Sequence, residues 1–113
     1  MLTPLESRRG ARHGSDVLAR LRERPPALWY RGEPVADATT HAAFRGGVAT
    51  LAELYDLQWR EGDVCLFDSP TSGGKVARSL QVPSTPAELA AIGRAMAVWA
   101  KHTHGMMGRV PDY

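Results

Sequence analysis

Few side chains in this sequence stand at spacings that could do chemistry, and the most suggestive pair lies in "GRVPDY", residues 108–113. Pro111 suits the first turn of a helix, and Asp112 beside it suits the positive end of the same helix dipole. Arg109 then sits just before that turn and Tyr113 inside it, four residues on. A guanidinium and a phenol placed this way can converge on one point. A fixed cation plus a hydroxyl makes a clamp for an anionic oxygen. A capped loop with no ligand is the plainer reading of the same residues.

The remaining candidates offer less. His102 and His104 are two apart. On a helix that spacing puts them on different faces, because surface neighbours stand three or four apart, so no metal pair is expected. His41 follows Thr39-Thr40 and reads as a surface or capping histidine. "TSGGK" at 71–75 shares part of a phosphate loop but lacks its Gly-x-x-x-x-Gly-Lys-Ser/Thr spacing and a following helix. Cys65 is the one cysteine, so it makes neither an intrachain disulfide nor a metal site by itself. It is expected to be a small buried hydrophobe in a reducing, cytoplasmic setting. There is no paired-carboxylate site and no nucleophile–base set.

Those residues need a scaffold, and 113 residues suit one small domain. Fourteen basic and 12 acidic side chains leave a formal charge of +2, too mild to imply a nucleic-acid partner. The arginines at 8, 9, 12, 20, 22 and 24 crowd the first segment and read as a solvated tail and helix face. No apolar stretch approaches the roughly 18 residues of a membrane span. No apolar h-region follows the first arginines, so no secretory signal is expected.

Along the chain, residues 1–13 read as a loose leader. Ser15 is expected to cap a short helix with Asp16 in its first turn, ended by Pro25-Pro26. Leu28, Trp29 and Tyr30 favour a strand, Arg31-Gly32-Glu33 a turn, and Val35 a return strand that Pro34 confines to an edge. Phe44, Val48, Leu51, Ala52 and Tyr55 share a helical period. That helix is expected to be capped by Thr39 or Thr40 and interrupted at Gly46-Gly47, by a kink or by tight packing against a neighbour. Residues 63–83 hold two short apolar runs that read as a hairpin or an irregular loop pair. Thr85-Pro86-Ala87-Glu88 is a capping box with proline at the first helical position. It opens a last helix with Leu89, Ile92, Met96 and Trp99 in one stripe, stopped by Gly105. The fold expected is mainly α with small β-hairpin elements.

Five pieces occur in an order that is familiar. They are Gly32-Glu33 with Val35, Asp37 with Thr39-Thr40-His41, Phe44-Arg45, Leu54-Tyr55-Asp56, and Gly108-Arg109-x-Pro111-Asp112-Tyr113. From about Gly14 to Tyr113 the chain resembles the N-terminal domain of the 4-hydroxyphenylacetate 3-hydroxylase family, the oxygenase components of two-component flavin monooxygenases. The resemblance implies reduced FAD supplied by a separate flavin reductase, and hydroxylation of a phenolic substrate ortho to its hydroxyl. It implies that Arg109 and Tyr113 reach the phenolic oxygen. It also implies an acyl-CoA-dehydrogenase-like oxygenase fold, in which a β-barrel and a C-terminal bundle follow this domain and hold most of the flavin. The chain is therefore expected to be a leader, 1–13, and a domain fragment, 14–113, that is not catalytic alone and binds FAD at most loosely. Ala42 stands where the family usually has proline, and Val17 where an aromatic residue is common. Two other readings remain: a helical interaction module that completes a separately encoded barrel and bundle, or a piece of a related hydroxyacyl-CoA dehydratase.

Overall fold

The computed structural model describes residues 10–107. Among these described residues, four helices, two two-stranded hairpins and one 3-10 turn follow in the order α1 Gly14–Glu23, β1 Trp29–Tyr30, β2 Glu33–Pro34, α2 Arg45–Arg60, α3 Gly62–Cys65, β3 Leu66–Asp68, β4 Lys75–Ala77, a 3-10 turn Arg78–Leu80, and α4 Pro86–His102. The mainly helical reading with small hairpins holds.

The first helix starts earlier than its expected cap. His13, not Ser15, is the N-cap, and its backbone N–H donates to Asp16 Oδ2 at 2.8 Å. The cause is tertiary. The Gly14 N–H donates to Asp56 Oδ1 of α2 at 2.7 Å, which draws Gly14 into the first turn. At the other end Pro25 denies Arg24 the helical region, and the helix closes at Glu23.

Residues 10–13, part of the stretch read as a leader, are tied to this scaffold. The Ala11 N–H donates to the Lys75 carbonyl at 2.7 Å. The Arg12 carbonyl accepts from Gln58 Nε2 at 2.9 Å and Trp59 Nε1 at 3.2 Å. The His13 ring lies parallel on the Trp59 indole, centroids 4.6 Å apart.

The first hairpin pairs Trp29 with Pro34 and Tyr30 with Glu33, so its return strand begins before Val35. Arg31 (φ 51°) and Gly32 (φ 79°) both take positive φ, the pattern of a tight two-residue turn whose twist suits a hairpin. Asp37 then organises the approach to α2. Its Oδ1 accepts from the Thr39 hydroxyl at 2.6 Å and the Thr39 N–H at 2.9 Å. Those bonds hold its carboxyl below the usual carboxylate range, the hydroxyl contributing most.

The local turn delays the second helix, which starts at Arg45 rather than beside Thr39 or Thr40. Gly46 and Gly47 thus fall in its first turn and do not interrupt it. A Cβ built on either meets nothing within 4 Å, so tight packing is not their reason for being there.

The stretch 63–83 contains a hairpin, with Leu66 opposite Ala77, Phe67 opposite Val76 and Asp68 opposite Lys75, but residues 63–65, including the start of its first apolar run, belong to α3. Only part of the apolar run 76–82 is strand; Arg78–Leu80 tightens into the 3-10 turn. There Arg78 reaches back, donating from Nε to the Val64 carbonyl and from Nη2 to the Leu66 carbonyl, each at 2.9 Å.

The last helix is close to its expected form. Thr85 Oγ1 accepts the Glu88 N–H at 3.1 Å. The reciprocal half of the box goes one residue upstream: Glu88 Oε2 accepts from the Ser84 N–H at 2.6 Å and the Ser84 hydroxyl at 3.0 Å. Ile92 and Trp99 of the stripe are buried, Met96 is half-buried and Leu89 is exposed. The core joins Leu54, Tyr55 and Leu57 of α2 to Cys65 of α3 and to Ala95 and Trp99 of α4, with Val17, Val64, Val98 and Met107 packed against it.

Candidate functional site

Arg109 and Tyr113 lie outside the described residues. What the structure does describe is the end of α4, from which their segment departs. Thr103 caps the helix. His104 (φ 54°) and Gly105 (φ 85°) follow in the left-handed region. The Gly105 N–H donates back to the Ala100 carbonyl at 2.7 Å. This is the glycine-closed helix end expected from the sequence, with a histidine in the first left-handed position. The chain then turns under the helix. The Met107 N–H donates to Thr103 Oγ1 at 2.9 Å, and the Met107 side chain joins the core.

His102, one residue before the cap, places Nε2 3.4 Å from Glu53 Oε1 of α2. This ties the end of α4 to the neighbouring helix. His104 is exposed on another side, and among the described residues no group of three His, Cys, Asp or Glu side chains could hold a metal.

The other candidates have structural roles. His41 Nδ1 accepts the Ala43 N–H at 3.1 Å, and its ring sits 5.5 Å from Tyr30 and 5.3 Å from Phe44. Tyr30 also meets Phe44 edge-on at 5.5 Å, so the three rings pin the first hairpin against the start of α2. The 71–75 stretch forms the tip of the second hairpin, closed by a Gly73 N–H to Ser69 carbonyl bond of 2.9 Å. Cys65 is fully buried. Burial, with help from Glu61, pushes its thiol up to about 11 against a smaller opposing pull from Arg78. That is the state of an inert core thiol rather than a nucleophile. Arg20, Arg22 and Arg24 are exposed, as a solvated face requires.

Two grooves mark the described surface. One, of about 420 Å³, runs between Trp59, Asp63, Phe67, Asp68, Lys75 and Arg78. The other, of about 500 Å³, lies along α1 beside Arg12, Asp16, Arg20, Glu23 and Arg24. Both carry charges of both signs. In the first, Lys75 Nζ is 2.9 Å from Asp68 Oδ1 and so already neutralised. Neither of these two grooves is the apolar slot that a flavin ring needs, so neither fits that cofactor by itself. Among them, no helix is long and apolar enough to cross a membrane.

The family model for the 4-hydroxyphenylacetate 3-hydroxylase N-terminal region matches residues 13–113. The chain belongs to the 4-hydroxyphenylacetate 3-hydroxylase family. The oxygenase component of 4-hydroxyphenylacetate 3-monooxygenase from Thermus thermophilus is 45% identical over 105 residues, which cover 91% of this chain and 21% of that protein. A crystal structure of such an oxygenase component, complexed with FAD and 4-hydroxyphenylacetate, matches with a TM-score of 0.82 over 91% of this chain and 22% of its own. A 4-hydroxybutyryl-CoA dehydratase from N. maritimus is more distant, at 29% identity and a TM-score of 0.72, covering 82% of this chain and 19% of its own. The chain spans about a fifth of the length of the curated relatives it matches.

Within the 4-hydroxyphenylacetate 3-hydroxylase fingerprint, four of the five pieces turn out to be scaffold. Gly32 makes the hairpin turn and Asp37 folds the turn before α2. Phe44 packs on His41 and Tyr30, and Asp56 holds the start of α1. The fifth piece is the arginine–tyrosine segment itself. Sequence reasoning missed the bond by which the Thr103 hydroxyl holds the Met107 N–H; Thr103 sits in "HTHG" with nothing but a small polar side chain to mark it.

Proposed function

We propose that this chain is the N-terminal domain of a reduced-flavin-dependent monooxygenase that hydroxylates a phenol ortho to its hydroxyl, as 4-hydroxyphenylacetate 3-monooxygenase does, with residues 10–13 part of the domain rather than of a leader. The observation that carries this reading is the match to the oxygenase structure holding FAD and 4-hydroxyphenylacetate. The lower identity of the dehydratase makes it the weaker model. FAD, delivered in reduced form by a separate flavin reductase, supplies the oxygen chemistry, and the protein positions and shields it. The site lies in a cytoplasmic oxygenase whose barrel and bundle come from beyond this domain. The domain's own contribution is to hold the phenol. The Arg109 guanidinium beside the phenolic oxygen favours its ionised form, which enriches the ring carbon next to it. The Tyr113 hydroxyl donates to that oxygen or relays its proton.

The test joins this chain to the remaining four-fifths of the Thermus thermophilus oxygenase. The chimera is assayed with reductase, NADH, FAD and 4-hydroxyphenylacetate, reading catechol formation. A charge-assisted hydrogen bond is worth about 1.5–3 kcal/mol. Arg109→Met and Tyr113→Phe are therefore each expected to weaken substrate binding about 10- to 100-fold, because both donate to the ionised oxygen. The chain alone is expected to form no catechol. Unchanged affinity and rate in both variants would remove the proposed role of these residues.

A further inference from the structure

We propose that Leu80, Val82 and Leu89 form the face by which this domain seats on the body of the oxygenase, against an apolar surface of the polypeptide that continues beyond it. This rests on the reading of the chain as an N-terminal domain given above. Of the large hydrophobic side chains exposed among the described residues, half stand between positions 80 and 89. Val82 is 88% exposed, Leu89 61% and Leu80 47%. Apolar residues scattered singly over a surface need no explanation. These three are not scattered, and the backbone that carries them is tied down.

Arg78 does much of the tying. It donates to the Val64 and Leu66 carbonyls of the neighbouring segment, and from Nη1 to Gln81 Oε1 at 3.1 Å. The Gln81 N–H closes on the Arg78 carbonyl at 3.0 Å. Downstream, the bonds among Ser84, Thr85 and Glu88 fix the start of α4. The 3-10 turn packs against α4, so both carriers of the face move together. Leu89 is the fourth residue of that helix. An apolar residue just before the cap often covers this position, but here that residue is Ser84, and Leu89 is left bare. A surface ordered in advance loses less freedom when it docks.

The size of the face selects its occupant. A stable dimer takes roughly 800 Å² and about 20–30 residues from each partner. Three large side chains fall well short of that, which argues against a second copy. A segment of the same polypeptide needs less, because its tether holds it at an effective concentration on the order of millimolar. This chain spans 21% of its Thermus thermophilus relative, whose remaining length supplies such a segment.

Thiol protection tests the proposal. Val82→Cys is a small change at an exposed position. It is labelled with a thiol reagent in the chain alone and in the chimera described above, with the labelled peptide located by mass spectrometry and each rate normalised to that in denaturant. Labelling is expected to be fast in the chain and at least about 10-fold slower in the chimera. Adding Leu89→Gln is expected to return most of the lost reactivity. Equal labelling in the chain and in a catechol-forming chimera overturns the docking face and leaves the domain reading intact. Protection already present in the chain also overturns it, the occupant being a second copy if light scattering shows a dimer and the chain itself if it shows a monomer. Full protection that survives Leu89→Gln overturns the shared face. A chimera that forms no catechol removes the domain reading, and the docking face with it.

Discussion

Replacing Gly14 by alanine adds one methyl group where α1 closely approaches α2. A Cβ at that position would lie 2.4 Å from the Ala52 carbonyl oxygen and 2.8 Å from Asp56 Oδ2. The first of these is about 1 Å inside ordinary contact, and it is made to backbone, which cannot swing away. Relief requires α1 to withdraw, and withdrawal lengthens the 2.7 Å bond from the Gly14 N–H to Asp56. Overpacking of this kind costs about 1–3 kcal/mol. A hydrogen bond to a carboxylate is worth about 1.5–3 kcal/mol, less here because Asp56 is exposed and water replaces part of it. Against this stands the helix preference for alanine over glycine, at most about 1 kcal/mol and smaller in a first turn. The balance is a destabilisation of about 3 kcal/mol, seen as a fall in melting temperature of at least about 10 °C for a domain of this size. Urea unfolding followed by circular dichroism measures it. Gly93→Ala is the matched control. Gly93 lies inside α4, and its Cβ would meet nothing within 4 Å, so that variant should gain up to about 1 kcal/mol. If Gly14→Ala unfolds within about 0.5 kcal/mol of the parent, or gains stability as Gly93→Ala does, the close approach of α1 to α2 is wrong.

Three further outcomes follow from the geometry. Cys65 should resist a thiol reagent at pH 8 until denaturant is added. Because its folded value, about 11, lies above the ordinary 9.0, stability should fall as pH rises across that window, and the fall should be shallower in Cys65→Ala. The Glu88 carboxyl is held below the ordinary value by the Ser84 N–H and hydroxyl. Its contribution is therefore present above pH 4.5 and lost on acidification through the folded value, so Glu88→Gln should flatten the acid limb of melting temperature against pH. Arg31→Asn should stabilise the first hairpin by a few tenths of a kcal/mol, since asparagine tolerates a φ of 51° better than arginine does. A loss measured by thermal unfolding would mean that the Arg31 contact over the Tyr30 ring, at 5.4 Å, is worth more than the backbone relief.

Much of the scaffold was legible because local rules and tertiary packing agree in it. Thr85-Pro86 and Gly105 bracket α4 as written, and the Arg31-Gly32 turn carries its own hairpin. The errors fall where a distant partner decides. Ser15 looks like a better cap than His13, but only Asp56, 42 residues away, explains why the helix takes in Gly14. Thr39 and Thr40 look like caps for α2, yet Asp37 captures Thr39 into a turn first. Gly46-Gly47 looks like a break and is merely a helix start. Of the candidate site, the resemblance to the family supplied Arg109 and Tyr113, which spacing alone left open. Spacing had no means of finding Thr103, because its meaning depends on the chain folding back beneath α4.

The stack of His13 on Trp59 has an optical consequence. The three tryptophans occupy three environments: Trp29 in solvent, Trp59 against an imidazole, and Trp99 wholly enclosed. Lifting of residues 10–13 strips Trp59 of that ring and of the Arg12 carbonyl to which its indole N–H donates, so its emission should change while the red-shifted signal of Trp29 and the blue-shifted signal of Trp99 stay in place. With Trp29→Phe removing the solvent background, the chain carries an intrinsic fluorophore that distinguishes lifting of residues 10–13 from loss of the core.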